Sequence, residues 1–98
     1  MSQRAPGPPR ASCRLEIKNR LGLHARAAAL LVQTVARFDA EIAVTKDDQT
    51  VNGKSILGLM MLAGGQGSSI AVEAQGPDAQ AAVDAITALV EAKFNEDA

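Results

Sequence analysis

Residues 13–38, CRLEIKNRLGLHARAAALLVQTVARF, hold two hydrophobic patterns of different period in direct succession. The first residues alternate, with Cys13, Leu15 and Ile17 on one side, which predicts a half-buried strand. Apolar residues then recur at helical spacing from residue 25 to residue 38, which predicts an amphipathic helix. The predicted buried face of this helix consists of Ala28, Leu31, Val32, Val35 and Phe38. A strand joined to a helix through a glycine-containing turn is therefore the first unit of the fold.

The same two patterns return along the rest of the chain. Alternation at 40–46 and 68–75 predicts two more strands, and residues 50–52 allow a short one after a turn. A short helix capped by Ser55 ends at two glycines. Residues 76–94 predict a long helix. Its apolar stripe consists of Ala82, Val83, Ile86, Leu89, Val90 and Phe94. The order β-α-β-β-α-β-α favours an α+β fold with one four-stranded sheet whose apolar face is covered by helices.

The chain of 98 residues has room for one domain. Residues 1–12 contain three of the four prolines and almost no large apolar side chain, which indicates a flexible N-terminal extension. The folded domain is predicted to span residues 13–98.

Composition argues against several classes of function. Ten Lys and Arg against eleven Asp and Glu give a net charge of −1, and Trp and Tyr are absent, so nucleic acid is not an expected partner. A single cysteine, Cys13, and a single histidine, His24, provide neither a disulfide nor a usual zinc site, and no metal or cofactor is expected. No stretch approaches the ~20 apolar residues of a membrane span, and no secretory signal is present, so we expect a cytoplasmic protein.

His24 lies where the first helix is predicted to begin. The first N–H groups of a helix have no partner within it and favour an anion, and Arg26 follows two residues later. A neutral imidazole that accepts a phosphoryl group and hands it on fits this arrangement. A solvated histidine or a weak helix cap fits it as well, and a hydrolytic Ser/His/Asp arrangement stays open. The segment NGKS at 52–55 is not a phosphate-binding loop, because Asp48 occupies the position of the required first glycine.

The second helix raises two further hypotheses. Ser55 is either only a helix cap or also a phosphorylation site, and the two roles are compatible because a phosphate is stabilised at a helix N-terminus. The run ILGLMML at 56–62 is too apolar for one buried face of a short helix. Either Ile56, Leu57 and Met60 form an exposed docking surface, or the whole run packs inside the protein.

Three segments together resemble the histidine-containing phosphocarrier (HPr) family of the bacterial phosphoenolpyruvate-dependent phosphotransferase system. They are GLHARAAALLVQT, NGKSILGLMMLAGGQG and EAQGPDAQAAVDAI, and the resemblance covers roughly residues 13–94. It implies an open-faced β-sandwich, with an antiparallel sheet in the order 1-4-2-3 and three helices on one face.

The resemblance also implies roles for individual residues. His24 would be phosphorylated on Nδ1 with the assistance of Arg26, by enzyme I charged from phosphoenolpyruvate, and would pass the group to EIIA-type domains. Ser55 falls at the regulatory serine that an HPr kinase/phosphorylase modifies in some bacteria, and Ile56, Leu57 and Met60 fall on the docking surface. The protein would then be a monomeric carrier without turnover of its own, not an enzyme.

Two features leave alternatives open. Ala27 stands where the family usually has a proline, which restores a backbone donor near the phosphate and makes the start of the helix less rigid. The stretches EAQGPDAQ and FNEDA resemble the nitrogen-related branch (NPr), whereas the serine motif resembles the sugar branch. A regulatory binding module, acting in the nitrogen-type relay or through its Ser55-phosphorylated form, is therefore the alternative function. An unrelated domain that binds a small ligand or a metal is disfavoured by the placement of His24 and Arg26.

Overall fold

The computed structural model describes residues 8–97 and contains the predicted elements in the predicted order. The strands are β1 (Arg10–Glu16), β2 (Glu41–Lys46), β3 (Gln49–Asn52) and β4 (Ser69–Gln75). The helices are α1 (Ala25–Ala36), α2 (Ile56–Met61) and α3 (Ala79–Glu91), and a 3-10 turn at Lys93–Asn95 follows α3.

The four strands form one antiparallel sheet in the order β1-β4-β2-β3, as the family resemblance implies. Strand register sets the inward side chains in rows, with Val72 of β4 opposite both Cys13 and Val44. Inward residues such as Val44 and Val72 are buried, while alternate residues such as Arg14 and Glu73 are exposed. The three helices therefore cover one face and leave the other open.

The core lies between the sheet and the helices. Each aliphatic side chain buried there contributes about 1.5–3 kcal/mol relative to an exposed one. Leu31 and Val35 of α1 are fully buried, as predicted, but Val32 and Phe38 are only partly buried. Helix α1 ends at Ala36, two residues earlier than its pattern predicts, so Phe38 packs from the following turn. All six residues of the predicted stripe in the last helix are buried, although Phe94 belongs to the 3-10 turn after it.

The predicted start of the first strand was wrong by three residues. Strand β1 begins at Arg10 rather than Cys13, because residues 10–12 pair through their backbone with residues 73–75 of β4. The alternation continues through Ala11, which packs against the core between the exposed Arg10 and Ser12, but an alanine flanked by the proline-rich segment is a weak hydrophobic signal. Residues 8–12 are thus part of the described structure, and residues 1–7 of the predicted extension lie outside the described residues.

Gly22 fixes the loop between β1 and α1. Its φ of +67° lies in the left-handed region, and a Cβ built on it would lie 2.3 Å from the carbonyl oxygen of Gly64. The next residue, Leu23, donates its N–H to that same oxygen at 2.9 Å and is itself buried. Only glycine combines this backbone conformation with so close an approach. The loop that leads into α1 is therefore held against the segment that leaves α2.

We predict that Gly22→Ala destabilises the protein and displaces the start of α1. The left-handed backbone alone costs about 1–2 kcal/mol for a residue with a Cβ, and the contact with Gly64 adds to that cost. Denaturant unfolding measures the difference. The matched control is Gly65→Ala, because a Cβ at Gly65 meets nothing within 4 Å. An equal loss of stability in both variants would contradict the role assigned to Gly22.

Candidate functional site

His24 caps the N-terminus of α1 with its own side chain. Its backbone is extended, and its Nδ1 accepts the backbone N–H of Arg26 at 3.2 Å. Within residues 8–97, the N–H groups of Ala25 and Ala27 make no hydrogen bond. These donors belong to the first turn of α1, where the positive end of the helix dipole also lies. The imidazole is 28% exposed, so the helix start can accommodate an anion beside it.

Arg26 lies in the first turn of α1 and is exposed. No hydrogen bond or ion pair involves its guanidinium in the part of the chain that the structure describes. An open depression of about 660 Å³ is lined by both His24 and Arg26, together with Arg20, Leu21 and Leu30. His24 and Arg26, which the sequence predicted to act together, thus line the same depression at the start of α1. The pair can hold an anion by charge-assisted hydrogen bonds.

Glu96 also belongs to this site, although the sequence analysis missed it. Its Oε2 lies 2.7 Å from Nε2 of His24, across 72 positions of sequence, and the carboxylate is only 17% exposed. Burial tends to raise the pKa of Glu96, but hydrogen bonds from His24 and Asn19, with the nearby charges of His24 and Arg26, lower it below the ordinary value of 4.5. An ionised carboxylate therefore faces the ring nitrogen opposite to Nδ1.

Asn19 links the loop at Gly22 to Glu96 through its side-chain amide. It is fully buried, and its Nδ2 donates to the carbonyl oxygen of Gly22 at 2.8 Å and to Oε1 of Glu96 at 3.2 Å. Its Oδ1 has no partner among the described residues. A buried amide with one unpaired oxygen is costly, so this residue is poorly explained by stability alone.

An unusual turn brings Glu96 to His24. Lys93, Phe94 and Asn95 have φ values of 55°, 54° and 61°, so three successive residues with side chains are left-handed. Each costs roughly 1–2 kcal/mol, whereas burial of Phe94, which is 1% exposed, returns about 1.5–3 kcal/mol. Burial of Phe94 therefore offsets only about half of the cost of the three left-handed residues. No local pattern in FNEDA predicts it, because none of these residues is glycine.

Ser55 caps α2 as predicted, because its Oγ accepts the N–H of Gly58 at 3.0 Å. A cap of this kind is worth about 1 kcal/mol. Among the described residues, Ser55 forms no hydrogen bond with His24 or Arg26. The cap of α2 and the cap of α1 are therefore separate sites.

The apolar run of α2 does not pack entirely inside. Leu59 and Leu62 are buried, but the other large apolar residues of the run are exposed. The alternative in which the whole run packs inside the protein was therefore wrong. The predicted docking residues are exposed: Ile56 by 42%, Leu57 by 69% and Met60 by 41%. Two further exposed apolar residues, Leu21 at 68% and Met61 at 60%, were not in the prediction.

Other kinds of site find little support in residues 8–97. No three His, Cys, Asp or Glu side chains there are grouped to hold a metal ion. No helix in this range has the length and apolar character needed to cross a membrane. A second depression, of about 680 Å³, lies at the sheet beside residues such as Arg10, Glu41 and Glu73 and does not include His24.

Known proteins match most of the chain. The family model described as PTS HPr component phosphorylation site matches residues 11–92. Phosphocarrier protein HPr of Neisseria meningitidis is 50% identical over 82 residues, which cover 84% of this chain and 92% of that protein. Phosphocarrier protein NPr of Shewanella violacea is 50% identical over 80 residues, which cover 82% of this chain and 88% of that protein.

Solved structures agree with this match. HPr from Thermoanaerobacter tengcongensis superimposes with a TM-score of 0.86 at 45% identity, covering 90% of this chain and 99% of that one. An HPr dimer from the same organism has a TM-score of 0.71 at 49% identity, covering 84% of this chain and 94% of that one. The sheet order, the family match and the 50% identity over four fifths of the sequence all indicate the same family. The chain belongs to the HPr family of phosphocarrier proteins of the phosphotransferase system.

Proposed function

We propose that this protein accepts a phosphoryl group on Nδ1 of His24 from enzyme I, which is charged by phosphoenolpyruvate, and passes it to EIIA-type acceptors. The observation that carries the proposal is the hydrogen bond from the Arg26 N–H to Nδ1. An N–H can only donate, so Nδ1 holds a lone pair and not a proton. The nucleophilic atom is therefore in its reactive form at the start of a helix.

The proposed reaction moves one phosphoryl group and leaves the proton count of the ring unchanged. The Nδ1 lone pair forms a bond to phosphorus while the bond from phosphorus to the donor breaks, and its electron pair remains on the donor. Transfer to the acceptor repeats the exchange in the other direction. The N–H groups of Ala25 and Ala27 and the Arg26 guanidinium stabilise the phosphoryl oxygens during both steps. No cofactor takes part, and the protein is a carrier rather than an enzyme with its own turnover.

The proposed docking surface consists of Ile56, Leu57 and Met60. Their exposure supports it, because contiguous exposed apolar side chains are uncommon on a monomer without a partner. Methionine side chains adapt to several partner shapes, which suits a carrier that meets a donor and an acceptor in turn. We further propose a cytoplasmic monomer, because phosphoenolpyruvate is a cytoplasmic metabolite and each partner must leave before the next can bind.

A second candidate function is regulatory signalling through Ser55. The supporting observation is its half-buried hydroxyl at the start of α2, directly before the exposed Ile56 and Leu57. Phosphorylation by an HPr kinase/phosphorylase would place two negative charges beside the docking surface and so change which partners bind. The same surface would serve a regulatory module of the nitrogen-type relay, with transfer from His24 secondary.

The proposed function predicts a specific labelled product. Incubation with phosphoenolpyruvate and a bacterial enzyme I should give a phosphoprotein that is acid-labile and base-stable. Both His24→Ala and His24→Asn should lose the label, and asparagine retains helix-capping ability so that loss of fold is not the cause. Label that persists in both variants, or its absence from the parent protein, would falsify transfer through His24.

A further prediction concerns Arg26→Ala. Loss of a charge-assisted hydrogen bond of about 1.5 kcal/mol should slow phosphoryl transfer by roughly ten-fold. Stability should change by less than about 0.5 kcal/mol, because the side chain is exposed. Rapid-quench kinetics and thermal unfolding measure the two quantities. Arg14→Ala, which removes the same charge from the exposed face of β1, serves as the control and should transfer at the parent rate.

A further inference from the structure

Two contacts assign the single proton of the neutral His24 ring to the same nitrogen. Nδ1 accepts a backbone N–H, which excludes a proton there. Nε2 lies 2.7 Å from a carboxylate oxygen of Glu96, and an ionised carboxylate can only accept, so Nε2 must carry the proton. The contacts come from opposite ends of the chain and agree.

The buried Asn19 amide fixes the orientation of the Glu96 carboxylate. Its nitrogen must face the Gly22 carbonyl oxygen, since a carbonyl cannot donate, and the second hydrogen of the same nitrogen reaches Oε1 of Glu96. One carboxylate oxygen is thereby held by Asn19, and the other is left for His24. The arrangement is an ordered line of donors and acceptors from Gly22 to the imidazole.

We infer that Glu96, oriented by Asn19, is a positioning residue that holds the proton of His24 on Nε2 and so keeps the Nδ1 lone pair ready for the phosphoryl group. The inference rests on the proposed function for the identity of the reaction. During transfer to His24, the ring gains positive charge as the Nδ1–phosphorus bond forms, and the carboxylate on Nε2 stabilises that charge. The proton stays on Nε2 throughout, and Glu96 neither touches phosphorus nor becomes covalently modified.

Glu96→Gln tests this directly, because glutamine has nearly the size of glutamate but carries an NH₂ donor in place of one carboxylate oxygen. Asn19 still requires an oxygen opposite its amide, so the new NH₂ group faces Nε2 and donates to it. The ring can then keep this contact only by moving its proton to Nδ1. Nitrogen-15 NMR of the imidazole, recorded at alkaline pH where the spectrum shows a neutral ring, distinguishes the two tautomers.

The parent protein should show the proton on Nε2, with slow exchange to solvent. In Glu96→Gln, the population protonated on Nδ1 should rise, and phosphorylation by enzyme I should slow by about ten-fold. In Glu96→Ala, which removes the acceptor, the Nε2 proton should exchange at least about ten-fold faster, as loss of a hydrogen bond to a charged group implies. The backbone amide spectrum of each variant shows whether the fold is kept.

Asp97→Asn is the matched control, because it removes one negative charge at the next residue, whose side chain makes no hydrogen bond in the described range. Its tautomer and proton exchange should equal those of the parent. An unchanged tautomer and rate in Glu96→Gln, or the same changes in Asp97→Asn, would overturn the inference. The tautomer is read in the free protein, so a parent that enzyme I fails to label refutes the proposed function and leaves this result to decide on Glu96 alone.

Discussion

The contact of Gly22 with Gly64 is the constraint on which the geometry around His24 depends. It holds the loop before α1 against the segment after α2, and Leu23 is buried between them. Because the loop cannot move away, α1 begins at a fixed place and His24 occupies its cap position. The setting of the imidazole therefore comes from backbone packing between Gly22, two residues before it, and Gly64.

The same constraint places the rest of the site. Asn19 donates to the Gly22 carbonyl oxygen, so the buried amide is held by the loop that it supports. Glu96 then reaches both Asn19 and His24 from the end of the chain. Two segments distant in sequence thus contact the His24 ring. The Arg26 N–H contacts Nδ1, and the Glu96 carboxylate contacts Nε2. The Nδ1 side of the imidazole is therefore open to the proposed phosphoryl transfer, whereas the Nε2 side is held by Glu96.

Much of this could be predicted from sequence where the signal is local. The caps at His24 and Ser55 depend on a residue and the turn that follows it. Hydrophobic period identified β1, β2, β4, α1 and α3, while the cap and glycines identified α2 and the preceding turn indicated β3. Glu96 could not be found in this way, because its position depends on a left-handed turn without glycine and on a partner 72 residues away. The start of β1 was misplaced because its first inward residue is Ala11, whose small side chain gives a weak hydrophobic signal beside the proline-rich segment.

The turn at 93–95 has a practical consequence for handling the protein. Strand β1 begins beside Gln75, at the opposite end of the β1–β4 pair from the loop that carries His24, whereas Glu96 contacts the ring. A fusion partner or affinity tag attached after residue 98 would begin three positions along the chain from Glu96, whose carboxylate contacts His24. Any extension at this end of the protein therefore lies close in sequence to a side chain that contacts His24.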